Sequence, residues 1–246
     1  MPFFKAKCPL EYYHKEWAVE AGKLIFNLFN KMYLYNKPII LPDRSFFDWD
    51  YQADEEDADI IFEKICKIMD INSSNIKLMF YDGKPEKSFL ENIPHHSQNE
   101  DGFAGLYHDS YSFYKQIDIE ISLFKEPLSL VSTLAHELSH FKLLGEKRIS
   151  NNDEELTDLL PVFFGLGIFS ANSVIVYKKF QSLSTHGWSL SKKGYLSEPM
   201  FGFVLALWAL YKNDDVDFIK KFLNPNVKSI FIKTIKYVTQ NNIEYW

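Results

Sequence analysis

Cysteine is nearly absent from this chain. Only Cys8 and Cys66 occur, with no C-x-x-C pair, so neither a disulfide framework nor a zinc ribbon is indicated. Basic charge is also short: 27 Lys and Arg stand against 33 Asp and Glu, a formal net charge of -6. A sequence-independent nucleic-acid binder needs a basic face to displace counterions, and this balance argues against that class. The one basic stretch, Lys228 to Lys236, interleaves its lysines with Ile and Phe in the pattern of a solvated amphipathic helix. No apolar run is long and clean enough for a membrane span. The most apolar segment, Leu156 to Tyr177, is interrupted by Pro161, Gly165, Gly167 and Asn172, which favours a buried helix. Met1 to Leu10 lacks an apolar core of signal-peptide length, so the default expectation is a cytoplasmic protein. A G-x-S-x-G nucleophile elbow and internal repeats are absent too.

What is present fits a folded chain. At 46% hydrophobic and 17% aromatic residues, 246 residues can bury a substantial core, and no linker is long enough to divide them. The expectation is one domain, 1–246. Glu11 to Asn36 carries apolar residues at helical intervals, as do Asp54 to Asp70 and a helix from Pro127 to Leu144 closed by Gly145. Ile76 to Tyr81 reads as a strand running into the Asp82-Gly83 turn, and Gly105 to Phe124 as two strands. In the second of these, Ile117, Ile119 and Ile121 alternate with Asp118, Glu120 and Ser122, the period-two pattern of a strand with one wet face. Such a strand is a candidate for pairing with an extended peptide.

The chemistry concentrates in His136-Glu137-Leu138-Ser139-His140, which reads H-E-x-x-H. On a helix both imidazoles rise from one face and reach one ion. Zinc takes neutral imidazole nitrogen and, in catalytic sites, keeps one position open for water. Glu137 is then placed to take a proton from water attacking a carbonyl. The wheel puts Leu130, Val131, Leu134, Leu138 and Phe141 on an apolar stripe, Ser139, Lys142 and Glu146 on the wet side, and both histidines on the flank. A third protein ligand is expected just downstream, where Asp153 to Asp158 supply four carboxylates.

Glu154-Glu155-Leu156-Thr157-Asp158 matches the E-x-x-x-D pattern of the gluzincin metallopeptidases, and with the H-E-x-x-H helix the chain resembles that class. The resemblance implies an α+β, mainly helical zincin-like domain with a small sheet whose edge strand flanks the H-E-x-x-H helix. It implies Zn2+ on His136, His140 and Glu154, with Asp158 accepting a hydrogen bond from a ligand imidazole. Glu155 and Asp158 are the rival third ligands. The spacing between His140 and Glu154 is shorter than in the thermolysin type. Gly105-Leu106-Tyr107, Ile117 to Ile121, Leu134 to Leu138, Leu156 to Leu160, Gly165 to Phe169 and Gly194-Tyr195-Leu196 are also similar to a group of uncharacterised bacterial proteins.

Zincins use a His or Tyr to stabilise the developing oxyanion, and the resemblance makes His186, Tyr195 and Tyr107 the candidates. His108 lies near the candidate edge strand. His95 and His96 read as solvated loop residues, and Cys66, among Phe62, Ile65 and Met69, as an inert buried thiol. Gly165 and Gly167 read as points of close helix approach. The implied function is a zinc-dependent hydrolase, most simply a metallopeptidase acting on a peptide or protein substrate. The alternative is a zinc-binding regulatory or partner-binding protein without peptide turnover.

Overall fold

The computed structural model describes residues 5–83, 105–108, 115–174 and 196–246. The protein is α+β, mainly helical, with one small sheet among the described residues. The chain groups into two compact units: Met1–Asp48, Glu154–Asn172 and Tyr195–Trp246 form one, and Trp49–Asp153 and Ser173–Gly194 the other.

In the first unit, the helix expected over 11–36 divides into α1 (Tyr12–Phe29) and α2 (Lys31–Tyr35). Asn30 is the cause. It adopts a left-handed φ of 65°, and its side chain accepts the N–H groups of Met32 and Tyr33, at 3.0 and 3.3 Å, as the N-cap of α2. The apolar run after residue 156 divides likewise, into α5 (Glu154–Phe163) and a helical stretch α6 at 167–174. Gly165, at φ +91°, ends α5. The Leu166 N–H donates to Pro161 O at 2.8 Å and the Gly165 N–H to Val162 O at 3.2 Å, the Schellman pattern of a helix C-terminus. A Cβ on Gly165 would stand 1.9 Å from Pro38 O, and its own carbonyl accepts the Ile40 N–H at 2.9 Å. The close approach expected of Gly165 is therefore to the 38–40 backbone.

Helix α7 (Glu198–Lys212) is buried on every side from Met200 to Ala209, as its nearly unbroken apolar sequence requires. It packs on α9 (Pro225–Asn241), which follows the short α8 (Val216–Ile219). In α9, Val227, Phe231, Thr234 and Val238 face inward while Lys233 and Lys236 are exposed, the amphipathic helix expected of this stretch. Phe26, Phe163, Trp208, Tyr211 and Trp246 form one aromatic cluster, and the Trp246 indole N–H donates to Val19 O at 3.1 Å. No described helix is long and apolar enough to cross a membrane.

The second unit opens with α3 (Glu55–Ile68), started by a reciprocal capping box between Asp54 and Asp57. Buried Asp57 also accepts the Trp49 indole N–H at 2.5 Å and the backbone N–H groups of Gln52 and Ala53, each at 2.6 Å. The sheet holds β1 (Ile76–Tyr81), β2 (Gly105–His108) and β3 (Lys115–Glu120), in the order β1-β3-β2. β3 runs parallel to β1 and antiparallel to β2.

Three expectations about β3 are corrected here. It is the central strand, hydrogen-bonded on both sides, so it has no free edge for an incoming peptide. Its polar face is not wet, since Asp118 is only 3% exposed. The strand also ends at Glu120, and Ile121 begins a 3-10 turn through Lys125. The side chain of Glu120 caps that turn by accepting the Ser122 N–H at 3.1 Å. Helix α4 (Pro127–His140) follows, with Pro127 at its first position, where no N–H is missed. It packs against α3, β2 and the 121–125 turn.

Candidate metal centre

Helix α4 carries the H-E-x-x-H residues in a drier setting than its helical wheel implies. Every residue from Ser129 to His140 is buried. Ser139, expected on the wet side, is fully buried, and so is nearly all of Lys142, whose Nζ binds Glu146 Oε1 at 2.7 Å. The helix packs against α3, β2 and the 121–125 turn. Its small hydroxyls tolerate this by folding back on the helix: Thr133 Oγ1 donates to Ser129 O at 2.9 Å and Ser139 Oγ to Ala135 O at 2.7 Å.

The helix also ends differently from the expected Gly145 cap. After His140 the backbone widens into a π turn over Phe141–Gly145, with the Glu146 N–H reaching back to Phe141 O at 2.9 Å. The Arg148 N–H then donates to Leu143 O at 2.8 Å and the Lys147 N–H to Leu144 O at 2.9 Å. This is again a Schellman end, but its left-handed residue is Lys147, at φ 56°. Gly145 has no positive φ and serves no such role.

One turn of α4 brings the two histidines together. His136 Nε2 and His140 Nε2 are 3.2 Å apart, with ring planes at 86°. Both rings are buried, at 7% and 9% exposure. Glu154, half-buried in the first turn of α5, completes a group whose donor atoms all lie within 4.8 Å of one another. Among the described residues this is the grouping of His, Cys, Asp and Glu side chains suited to holding a metal ion. The donor set fits zinc in kind: two imidazole nitrogens and a carboxylate oxygen. It also fits in scale, because two nitrogens bound at about 2.1 Å to one tetrahedral zinc stand about 3.4 Å apart. The N-terminal end of α5 favours a carboxylate at position 154 through the helix dipole.

The neighbours of this group are uneven. Glu155 is exposed, and Asp158 is buried with Oδ2 accepting the Leu196 N–H at 2.8 Å. Glu137, between the histidines in sequence, is 6% exposed. Tyr81, the last residue of β1, is the register partner of Glu120. Burial, and then the charges of Glu120, Glu137 and Asp118, push its phenol above the usual tyrosine range.

The remaining candidates are placed as follows. His186, Tyr195, His95 and His96 lie outside the described residues. Tyr107 and His108 are on β2, paired through the backbone with Ile117 and Gln116. Cys66 is buried in α3, and burial pushes its thiol up to about 12, consistent with an inert side chain. Cys8 is half-buried and also raised, chiefly by burial. Comparisons with protein-family models, with curated proteins and with solved structures gave no match.

Proposed function

We propose that this protein is a zinc-dependent hydrolase of zincin-like fold, most simply a metallopeptidase. The observation that carries the proposal is the 3.2 Å approach of His136 Nε2 and His140 Nε2 within reach of Glu154. In this reading His136, His140 and Glu154 hold the ion. Bound zinc supplies a Lewis acid and lowers the pKa of water. Glu137 accepts a proton from the attacking water and returns it to the leaving amine. Burial of Glu137 supports that role, because a carboxylate withdrawn from solvent is a stronger base than an exposed one. Asp158 orients a ligand imidazole, and His186 or Tyr195 stabilises the oxyanion.

The same reading moves the peptide from β3 to β2. Among the described residues β2 is an outer strand of the sheet and lies beside α4, so a peptide added along it runs past the H-E-x-x-H residues.

Metal analysis of the purified protein tests the first step. One zinc per chain is expected, lost in His140→Ala and in Glu154→Ala. Retention of zinc by Glu154→Ala transfers the ligand role to Glu155 or Asp158. Cleavage of a mixture of fluorogenic peptides tests the second step: zinc-dependent turnover is expected in the parent, with loss in Glu137→Gln at unchanged zinc content. Absence of turnover in the zinc-loaded parent refutes the peptidase reading.

A further inference from the structure

The connection between the histidines and Glu154 is fastened by charge. Lys142, Glu146 and Arg148 follow closely on His140, and one carboxylate serves both cations. Lys142 Nζ lies 2.7 Å from Glu146 Oε1, and Arg148 Nε lies 2.8 Å from Glu146 Oε2. The two cations come from either end of the exit turn: Lys142 belongs to the π turn over Phe141–Gly145, and Arg148 follows the left-handed Lys147. Backbone bonds close the same turn, with the N–H groups of Arg148 and Ile149 both donating to Leu143 O, at 2.8 and 3.1 Å. Such a turn needs fastening, because a φ of 56° disfavours any residue that carries a Cβ, as Lys147 does.

The clamp differs from an ordinary surface pair. Lys23 and Glu20 on α1 also meet at 2.7 Å, but their side chains are 51% and 65% exposed, and water screens such a pair to little net effect. The side chains of Lys142 and Glu146 are 6% and 26% exposed, where the attraction is screened far less. With the turn held through Ile149, only 150–153 separate it from Glu154. A ligand on a loose connection binds metal only after that connection is ordered, and the lost entropy is subtracted from affinity. We propose that Glu146 is a positioning residue for the metal centre: by clamping Lys142 to Arg148 it fixes where the chain leaves α4, and so presents Glu154 to His136 and His140. The inference rests on the metal-binding part of the hydrolase reading, whereas the clamp is testable without metal.

Glu146→Gln keeps the side-chain shape and removes the charge that both cations share. In the metal-free protein, amide hydrogen exchange at Arg148 and Ile149 should quicken about tenfold in this variant, the scale of one hydrogen bond to a charged group. Unchanged exchange overturns the clamp. Zinc affinity is then measured by competition with a chromophoric chelator in the parent, Glu146→Gln, Glu154→Ala and the double variant. The Kd should rise about tenfold in Glu146→Gln. Added to Glu154→Ala, the same substitution should not weaken further the binding left to the histidines, because Glu146 acts through Glu154. A merely structural role would weaken zinc binding equally in both backgrounds; that result, or an unchanged Kd in Glu146→Gln, overturns the proposal. If Glu146→Gln does not fold, Arg148→Gln, which removes only the more exposed arm of the clamp, replaces it in both measurements. A parent that binds no zinc refutes the metal centre and the positioning role with it, while hydrogen exchange still decides the clamp.

Discussion

Replacing Gly165 by alanine should destabilise the protein far more than the loss of any surface contact. Three effects act together. A non-glycine residue in the left-handed region costs about 1–2 kcal/mol, and Gly165 sits at φ +91°. The new Cβ would fall 1.9 Å from Pro38 O, so the 38–40 backbone must retreat; overpacking of that kind costs about 1–3 kcal/mol. The retreat also stretches the Ile40 N–H bond to Gly165 O, now 2.9 Å and worth about 1 kcal/mol. Alanine returns about 0.4–1 kcal/mol by restricting the unfolded chain. The net loss is about 3 kcal/mol, which at a slope near 3 kcal/mol/M lowers the urea midpoint by about 1 M. Tryptophan fluorescence is a suitable probe because Trp208 and Trp246 lie in the same unit as Gly165. A loss below about 1 kcal/mol would show that the 38–40 segment yields freely, and the steric argument would be wrong.

Lys147→Gly should act in the opposite sense at the equivalent helix end, stabilising the second unit by about 0.5–1 kcal/mol, because the φ of 56° disfavours lysine there. A urea midpoint that falls instead would mean that the Lys147 side chain makes a contact worth more than its strain. Cys66, with its thiol pushed up to about 12, should react with iodoacetamide at pH 8 about a thousandfold more slowly in the native protein than in denaturant, where the ordinary value of 9.0 applies. The sign follows from the thiolate fraction, which falls tenfold for each unit by which the pKa exceeds the pH; rapid native labelling of Cys66 would refute its burial. Zinc at a hundredfold excess over its Kd should stabilise the parent by about 2.7 kcal/mol, read as a higher Tm that EDTA reverses. The same addition should leave the Tm of His140→Ala unmoved, and an equal rise in both would place the metal elsewhere.

Much of the secondary structure was legible because periodicity reports burial directly. β1 begins and ends at the expected Ile76 and Tyr81, and α3 and α9 turn the expected apolar faces inward. The misses share a cause, which is that tertiary neighbours decide what a local pattern means. Asp118 looked wet because polar residues alternate along β3, but a covered sheet face buries them as well. The wheel of α4 gave Ser139 and Lys142 to solvent, although the helix is enclosed and a hydroxyl can bond its own backbone. Gly145 looked like the cap of α4 by residue type, while the chain spends its left-handed turn on Lys147. Asn30 could have been read as a break, since Asn tolerates positive φ and caps helices, but the apolar spacing across it was uninterrupted. At the site, the i, i+4 rule brought His136 and His140 together as expected.

The separation of these residues along the chain has a consequence for how the molecule assembles. His136, His140 and Glu154 fall within one helix and the first turn of the next, so collecting them closes only the short 140–154 stretch. β1 must instead find β3 across a much longer excursion, and in parallel, which a hairpin cannot achieve. Closure entropy grows with loop length, so the three candidate donors can meet before the sheet is complete. An ion captured at that stage would tether the chain while β1 is still searching, and zinc would then act on the refolding rate as well as on the native state.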